Sequence, residues 1–464
     1  MFENLSLKKS NTIKFALKKL QGEYGKILTV LDKNKSLIGV VSSGDIRRAI
    51  LSGYNLNDKI EKIYNKKVSF VYQDELIKKK LIKSNFGSES LNNSIFYIPV
   101  LNNNNKVKDI IPVERVLEIL ENKKIEKKTN TLKKLPKVLI VGGAGYIGTV
   151  LASKLLKKNY HVTVLDNLIY DKKIIKKNFK NKKNFEFIYG DVSDLNVQIK
   201  SIKKIDIVVY LSEIVGDPAC SLKPEDALKT NYLSVLSFAN LCSHLAIDKF
   251  IYTSSCSVYG LDKNNKLLHE RSSLNPVSHY ARIKIMSEKA LMSSSNNYFQ
   301  PTILRLGTVF GPSIRMRFDL VVNTMAKFAY FKKIINVNGG KQWRPNIHVE
   351  DVADGIISII KAKKSNVANQ IFNLSSENSN FQIVEIAKIV KKVFPMAKLN
   401  VNDSSVDSRN YKVSSKKIKI KTGFVAKKTI KDALTNIKIM FQQKKIKNPE
   451  NKIYNNLLSL KEND

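Results

Sequence analysis

KVLIVGGAGYIG, residues 137–148, is a short apolar run that breaks into glycines at 142, 145 and 148. The run Lys137–Val141 predicts a buried strand, and the residues after Gly145 predict a helix reaching Lys158. A strand, a glycine turn and a helix in that order form a phosphate cradle. Gly142 permits the tight turn, Gly145 lets backbone approach a pyrophosphate, and Gly148 allows close packing of helix on strand. Tyr146 and Ile147 open the helix, whose unpaired N–H groups and positive dipole end suit an anion.

Working downstream, the alternation of strands and helices continues. His161–Leu165 predicts a second strand that ends in Asp166, about 20 residues past the glycines. A carboxylate there accepts both ribose hydroxyls of NAD and repels the extra phosphate of NADP. Phe185–Tyr189 leads into Gly190-Asp191-Val192, and Ile205–Leu211 leads into Ser212-Glu213. Phe250–Thr253 runs into Ser254-Ser255-Cys256-Ser257, and Tyr280-Ala281-Arg282-Ile283-Lys284 then heads a helix. Tyr280 and Lys284, four apart, share one helix face. An ammonium near a phenol favours the phenolate, which makes a tyrosine usable as a base near neutral pH.

Together these residues resemble an extended short-chain dehydrogenase/reductase of the NAD-dependent nucleotide-sugar epimerase/dehydratase family. That resemblance implies a Rossmann-type, doubly wound parallel α/β sheet with a C-terminal substrate lobe, over residues 136–442. It implies NAD as cofactor and Ser255, Tyr280 and Lys284 as catalytic residues. By the same resemblance Asp191 and Val192 contact the adenine, Leu211 lies over the cofactor, and Asn231 is the supporting asparagine of a helical stretch Pro224–Leu245. A helix-packing role is the other reading of Asn231. Glu213 departs from the two small residues usual there and has no assigned role.

The resemblance also narrows the reaction. Dehydratases of the family carry an Asp-Glu pair after the catalytic hydroxyl, and decarboxylating members keep the Glu. Here those positions are Cys256 and Ser257. The readings left are epimerisation at C4 of a nucleotide-linked hexose, or carbonyl/alcohol redox with NAD(H) as co-substrate, both pointing to surface-polysaccharide precursors. Cys256 reads as a small buried side chain or a further acid/base. In the substrate lobe, Thr308 stands where relatives often have Asn, and SIRMRFDLVVN supplies Arg315, Arg317 and Asn323. Arg344-Pro345-Asn346-Ile347-His348-Val349-Glu350-Asp351-Val352 resembles a family signature whose arginine binds the nucleotide diphosphate, and Arg409 matches a second phosphate-binding arginine. Guanidinium groups suit that ligand because they donate two parallel hydrogen bonds.

Upstream of Pro136, the charged stretch at 123–135 reads as a linker. The preceding residues 1–122 contain a loose repeat: strand, turn, strand, helix at 26–51 and again at 95–120. LIGVVSSGDIRRAI resembles the first half of a tandem pair of CBS domains, whose family binds adenosine nucleotides through a hydroxyl and an acid, here Ser42 and Asp45. The same two side chains also suit a helix N-cap, and both readings stand. The second copy has Pro112 and Arg115 at those places, which removes the ligand groups.

Composition sets the outer limits. The 464 residues require more than one core, and 43% hydrophobic content is that of a folded chain. The net charge of +40 admits nucleic acid as a partner. Yet only ten of the 80 basic residues are Arg, and the lysines are spread evenly, which reads as solvated surface. A non-catalytic RNA-binding or scaffold protein is the competing class; the intact Tyr280/Lys284 pair speaks against it. No apolar run is long enough to span a membrane. Cys220, Cys242 and Cys256 make no metal or disulfide framework, so the expectation is a cytoplasmic enzyme, without metal or nucleic acid, assembling as a homodimer or higher oligomer. A basic tail at 443–464 carries no readable chemistry.

Overall fold

The computed structural model describes residues 5–20, 27–77, 84, 97–113, 115–116, 135–180, 182–296, 299–402 and 407–461. Apart from residue 135, the expected linker at 123–135 lies outside the described residues, as does most of the expected helix at 113–120. The chain divides into two compact units, with the main division between residues 133 and 134.

The first unit holds two small three-stranded sheets built alike. Ile27–Leu31 pairs parallel with Ser6–Lys8 and antiparallel with Leu37–Ser42. Tyr97–Leu101 pairs parallel with Val71–Tyr72 and antiparallel with Val107–Pro112. The repeat extends to the turns. The Asp32 carboxylate accepts from the backbone N–H of Asn34 and Ser36, and Asn102 Oδ1 accepts from Asn104 and Lys106 in the same way. Lys35 and Asn105 each take a positive φ at the equivalent place, near 60°. Short polar side chains that bond the backbone two residues on make such turns cheap.

In the second unit a seven-stranded sheet runs in the order Gln370–Leu374, Thr302–Leu306, Lys249–Ser255, Ile207–Tyr210, Lys137–Val141, His161–Asp166, Phe185–Tyr189, and all its pairings are parallel. Central strands such as KVLIV are apolar at nearly every position because both faces are covered. On one face Leu151, Ala152 and Leu155 of helix Tyr146–Lys157 and Val352, Ile356 and Ile360 of helix Val349–Lys361 pack on the sheet. Strand order reverses beside Lys137–Val141, whose neighbours on the two sides are the second and fourth strands of the unit. A crevice opens at the carboxyl ends of strands at such a point, which is where ligands bind in sheets of this type.

The substrate lobe has its own apolar cluster, including Phe310, Val322, Ile386 and Leu434. Two outcomes differ from the sequence reading. The expected helix Pro224–Leu245 is Pro224–Leu228 and Ser234–His244 with a π-turn, Lys229–Leu233, between them. The bulge carries Asn231 into full burial. The boundary expected at 442 is also not structural. Residues 443–461 fold back on the lobe: Tyr454 O accepts from Phe318 N at 2.8 Å, Asn456 N donates to Asp319, and Leu460 is buried.

Candidate active site

One cavity of about 450 Å³ lies in the crevice, lined by the glycine loop, the carboxyl ends of the strands and the substrate lobe. Its cofactor half starts at the three glycines, which are glycine for different reasons. Gly142 has φ +80°, and a Cβ there would lie 2.6 Å from Ser212 N and Cα. A Cβ on Gly148 would lie 2.6–2.7 Å from Gly143 Cα and C and from Gly142 O. Gly145 has an ordinary φ of −75°, and a Cβ would meet only Gly142 O, at 3.3 Å. Packing therefore does not demand glycine at 145; the free space faces the cavity at the N-cap of helix Tyr146–Lys157. A methyl there would fill the place a pyrophosphate needs.

Asp166 ends its strand with both oxygens anchored, Oδ2 by Ala144 N at 3.0 Å and Oδ1 by Leu168 N at 2.8 Å. Burial pushes its carboxyl upward, against those two backbone donors. Asp191 accepts from Ser193 N and Asn167 Nδ2, and Val192 and Leu211 line the same half. These carboxylate acceptors and the open glycine cradle fit a dinucleotide.

Ser255 closes strand Lys249–Ser255 and caps the short 3-10 turn Cys256–Tyr259, its Oγ accepting from Ser257 N at 3.1 Å. Tyr280 is held at the head of helix His279–Ser293 by Ser278, whose Oγ accepts from Ala281 N. Lys284, one turn on, is 1% exposed and makes a buried ion pair with Glu213; Thr253 O and Tyr252 Oη also accept from it. Its ammonium sits 5.7 Å from the Tyr280 ring centroid. Burial and the Glu213 carboxylate push the Tyr280 phenol above its ordinary value.

At the substrate end, Arg344 and Arg409, 65 residues apart in sequence, meet on one carboxylate. Asp407 lies 2.7 Å from Arg344 Nη2 and 2.5 Å from Arg409 Nη2, and Arg409 Nη1 reaches Asp217 at 3.0 Å. Hydrogen bonding from Arg409 and the charges of both arginines hold the Asp407 carboxyl well below the usual range, despite its burial. Arg315 is 3% exposed and stacks 4.4 Å from the Tyr170 ring centroid, with Nε and Nη2 lacking a hydrogen-bond partner among the described residues. Thr308 lines the cavity as well.

Two expected site residues do not line it. Asn323 spends its amide on Gly311 N, Tyr146 Oη and Arg317 O, so it braces the wall from behind. Asn231 bonds both backbone groups of Ile214 at 2.9 Å, which pins the loop that carries Glu213. In the first unit, Ser42 and Asp45 satisfy each other as a capping box on helix Ser43–Leu51, and Arg48 pairs with Asp45 at 2.6 Å. Sequence reasoning missed Asp407, Asp217 and Tyr170 as site residues. Asp407 stands two residues before Arg409, and that acid–arginine spacing was the signal available.

The family model described as the NAD dependent epimerase/dehydratase family matches residues 138–375, and the CBS domain model matches residues 1–52. An uncharacterized protein of Methanocaldococcus jannaschii is 31% identical over 316 residues, which is 65% of this chain and 94% of that one. A dTDP-D-glucose 4,6-dehydratase of Dictyostelium discoideum is 28% identical over 270 residues, 54% of this chain and 61% of its own. Among solved structures, UDP-glucuronic acid 4-epimerase from Bacillus cereus, in complex with UDP-glucuronic acid and NAD, has a TM-score of 0.59 at 25% identity, covering 66% of this chain and 99% of that one.

Proposed function

The chain belongs to the NAD dependent epimerase/dehydratase family, and from that membership we propose that it inverts C4 of a nucleotide-linked hexose through a 4-keto sugar. NAD is the cofactor of this enzyme; when bound, it supplies a hydride acceptor and donor. Gly142, Gly145, Gly148 and the helix N-terminus opened by Tyr146 and Ile147 would hold its pyrophosphate. Asp166 would hold the ribose hydroxyls, and Asp191 and Val192 the adenine. On this reading the Tyr280 oxygen takes the proton of the sugar hydroxyl and returns it after the sugar has turned over in the cavity. Ser255 Oγ orients that hydroxyl beside the phenol. Arg344 and Arg409 exchange Asp407 for the substrate's diphosphate oxygens, and Arg315 and Thr308 face the sugar. Residues 1–122 form a separate CBS module in this scheme.

The observation that carries the choice of reaction is the pair after Ser255. Elimination across C5 and C6 needs a carboxylic acid there, and Cys256 and Ser257 provide none. Cys256 is 1% exposed, its thiol donates to Arg305 O, and it does not line the cavity. Inversion at C4 needs no acid besides the tyrosine, since NAD would carry the hydride in both directions.

The test has two parts. Denaturing the purified protein should release NAD in stoichiometric amount; a protein that instead consumes added NADH stoichiometrically is a ketoreductase. Incubation with UDP-hexoses, UDP-glucuronic acid among them, should give C4 epimers by proton NMR. Tyr280→Phe should lose about 10²–10⁴-fold in turnover while keeping NAD. A folded, active Tyr280→Phe variant refutes the assignment.

A further inference from the structure

Glu213 stands on the loop three residues past strand Ile207–Tyr210, where it lines the cavity together with Tyr280. Its side chain is 4% exposed and that of Lys284 is 1% exposed, so each is the other's counter-ion in the cavity wall. The geometry is overdetermined. Tyr252 Oη donates to Glu213 Oε1 at 3.0 Å, Asn231 fixes the next residue by two hydrogen bonds, and Thr253 O holds Lys284 from the strand side. A buried carboxylate held this firmly on the lysine of a Tyr/Lys pair changes what the tyrosine experiences.

We infer that Glu213 is a positioning residue of the Tyr280/Lys284 pair: it tethers the ammonium on the strand side, cancels its charge and faces the phenol itself, so that Tyr280 meets a neutral ion pair instead of a free cation. This rests on Tyr280 being the acid/base proposed above. The groups facing Tyr280 come from five elements: Lys284 on its own helix, Glu213 on the loop after Ile207–Tyr210, Asp217 and Cys220 on helix Asp217–Leu222, Tyr252 on strand Lys249–Ser255, and Arg317 in the substrate lobe. Lys284 is the cation of this group that lies on the tyrosine's own helix, one turn away, and Glu213 is the carboxylate paired with it. Burial pushes the Glu213 carboxyl up and the Lys284 ammonium down; the Lys284 charge and hydrogen bonds from Lys284, Tyr252 and Tyr280 oppose the first shift, and Glu213 opposes the second.

Glu213→Gln isolates the charge. Lys284 has three N–H donors, and in the variant the Gln carbonyl, Thr253 O and Tyr252 Oη still offer three acceptors, so the ammonium stays satisfied and charged. Tyrosinate absorbance of the NAD-loaded enzyme is titrated, with Tyr280→Phe in each background as the blank. The Tyr280 midpoint and the acidic limb of kcat should both fall by about one to two pH units in Glu213→Gln, as for loss of one nearby unit charge. Glu213→Asp, which keeps the charge, should restore the original midpoint. A midpoint unchanged or raised in Glu213→Gln overturns the inference. Should that variant not fold, Glu213→Gln/Lys284→Met carries no unpaired charge, and its Tyr280 should titrate within about half a unit of wild type; a larger displacement overturns the inference equally. These readouts stand apart from the catalytic assignment, which fails only if Tyr280→Phe remains active.

Discussion

Alanine at Gly145 and alanine at Gly148 should fail in opposite ways, although both glycines belong to one loop. At Gly148 the added Cβ would lie 2.6 Å from Gly143 Cα and 2.7 Å from Gly142 O. Ordinary contact begins near 3.4 Å, so the deficit of about 0.7–0.8 Å falls on backbone that cannot rotate away. Overpacking of this kind costs about 1–3 kcal/mol, a fall in Tm of roughly 2–10 °C for a unit this large. At Gly145 the Cβ meets a single atom at 3.3 Å, and the φ of −75° suits any residue. The stiffer unfolded chain is worth about 0.4–1 kcal/mol to the variant, so its Tm should match or slightly exceed wild type. The methyl would instead stand between the helix N-terminus and the cofactor pyrophosphate, raising the NAD Kd by at least about tenfold, or 1.4 kcal/mol. Differential scanning calorimetry without NAD and isothermal titration with NAD separate the two effects. If Gly145→Ala binds NAD as wild type does, or if both variants lose the same Tm, the pyrophosphate is not held where the cradle is read.

Two other predictions follow from buried polar groups. His348 is fully buried between Phe310 and Gly311, with Nδ1 accepting from Glu350 N, and burial lowers its pKa to about 4. A base whose folded pKa is depressed leaves stability intact above about pH 6.5, and that stability is lost as pH falls toward 4, up to about 3 kcal/mol in all. His348→Asn keeps a capping oxygen and should flatten that limb in urea denaturation across pH 4–7; equal slopes in both proteins would refute the account. Arg344→Ala removes one of the two guanidinium groups gathered on Asp407. It should raise the KM for the nucleotide sugar by about ten- to a hundredfold, with kcat changed far less, the loss expected for charged hydrogen bonds. A fall in kcat at constant KM would place the arginine elsewhere in the reaction.

Much of the site was legible because its parts are local. The glycine spacing, Asp166 at the end of the next strand, and the Tyr280/Lys284 turn each sit within one strand–loop–helix step, where backbone geometry alone fixes which side chains share a face. Ser42 and Asp45 were legible too, but only as two open readings. The structure satisfies each with the other in a capping box at a helix N-terminus.

The order of strands and helices and the glycine loop were thus readable from short-range periodicity and spacing, and the family resemblance resting on them gave the fold class and the residues proposed for the cofactor and the reaction. Which distant charges meet is set by the three-dimensional packing. Glu213 and Lys284 lie 71 residues apart, Arg344 and Asp407 lie 63 apart, and Asp217 joins Arg409 across 192. Local motifs mark Lys284, Arg344 and Arg409, but nothing local says which carboxylate each will meet. Their roles arise when folding strips water from them, because an ion in a closed site must find its counter-charge, and the topology of the sheet determines which one is within reach.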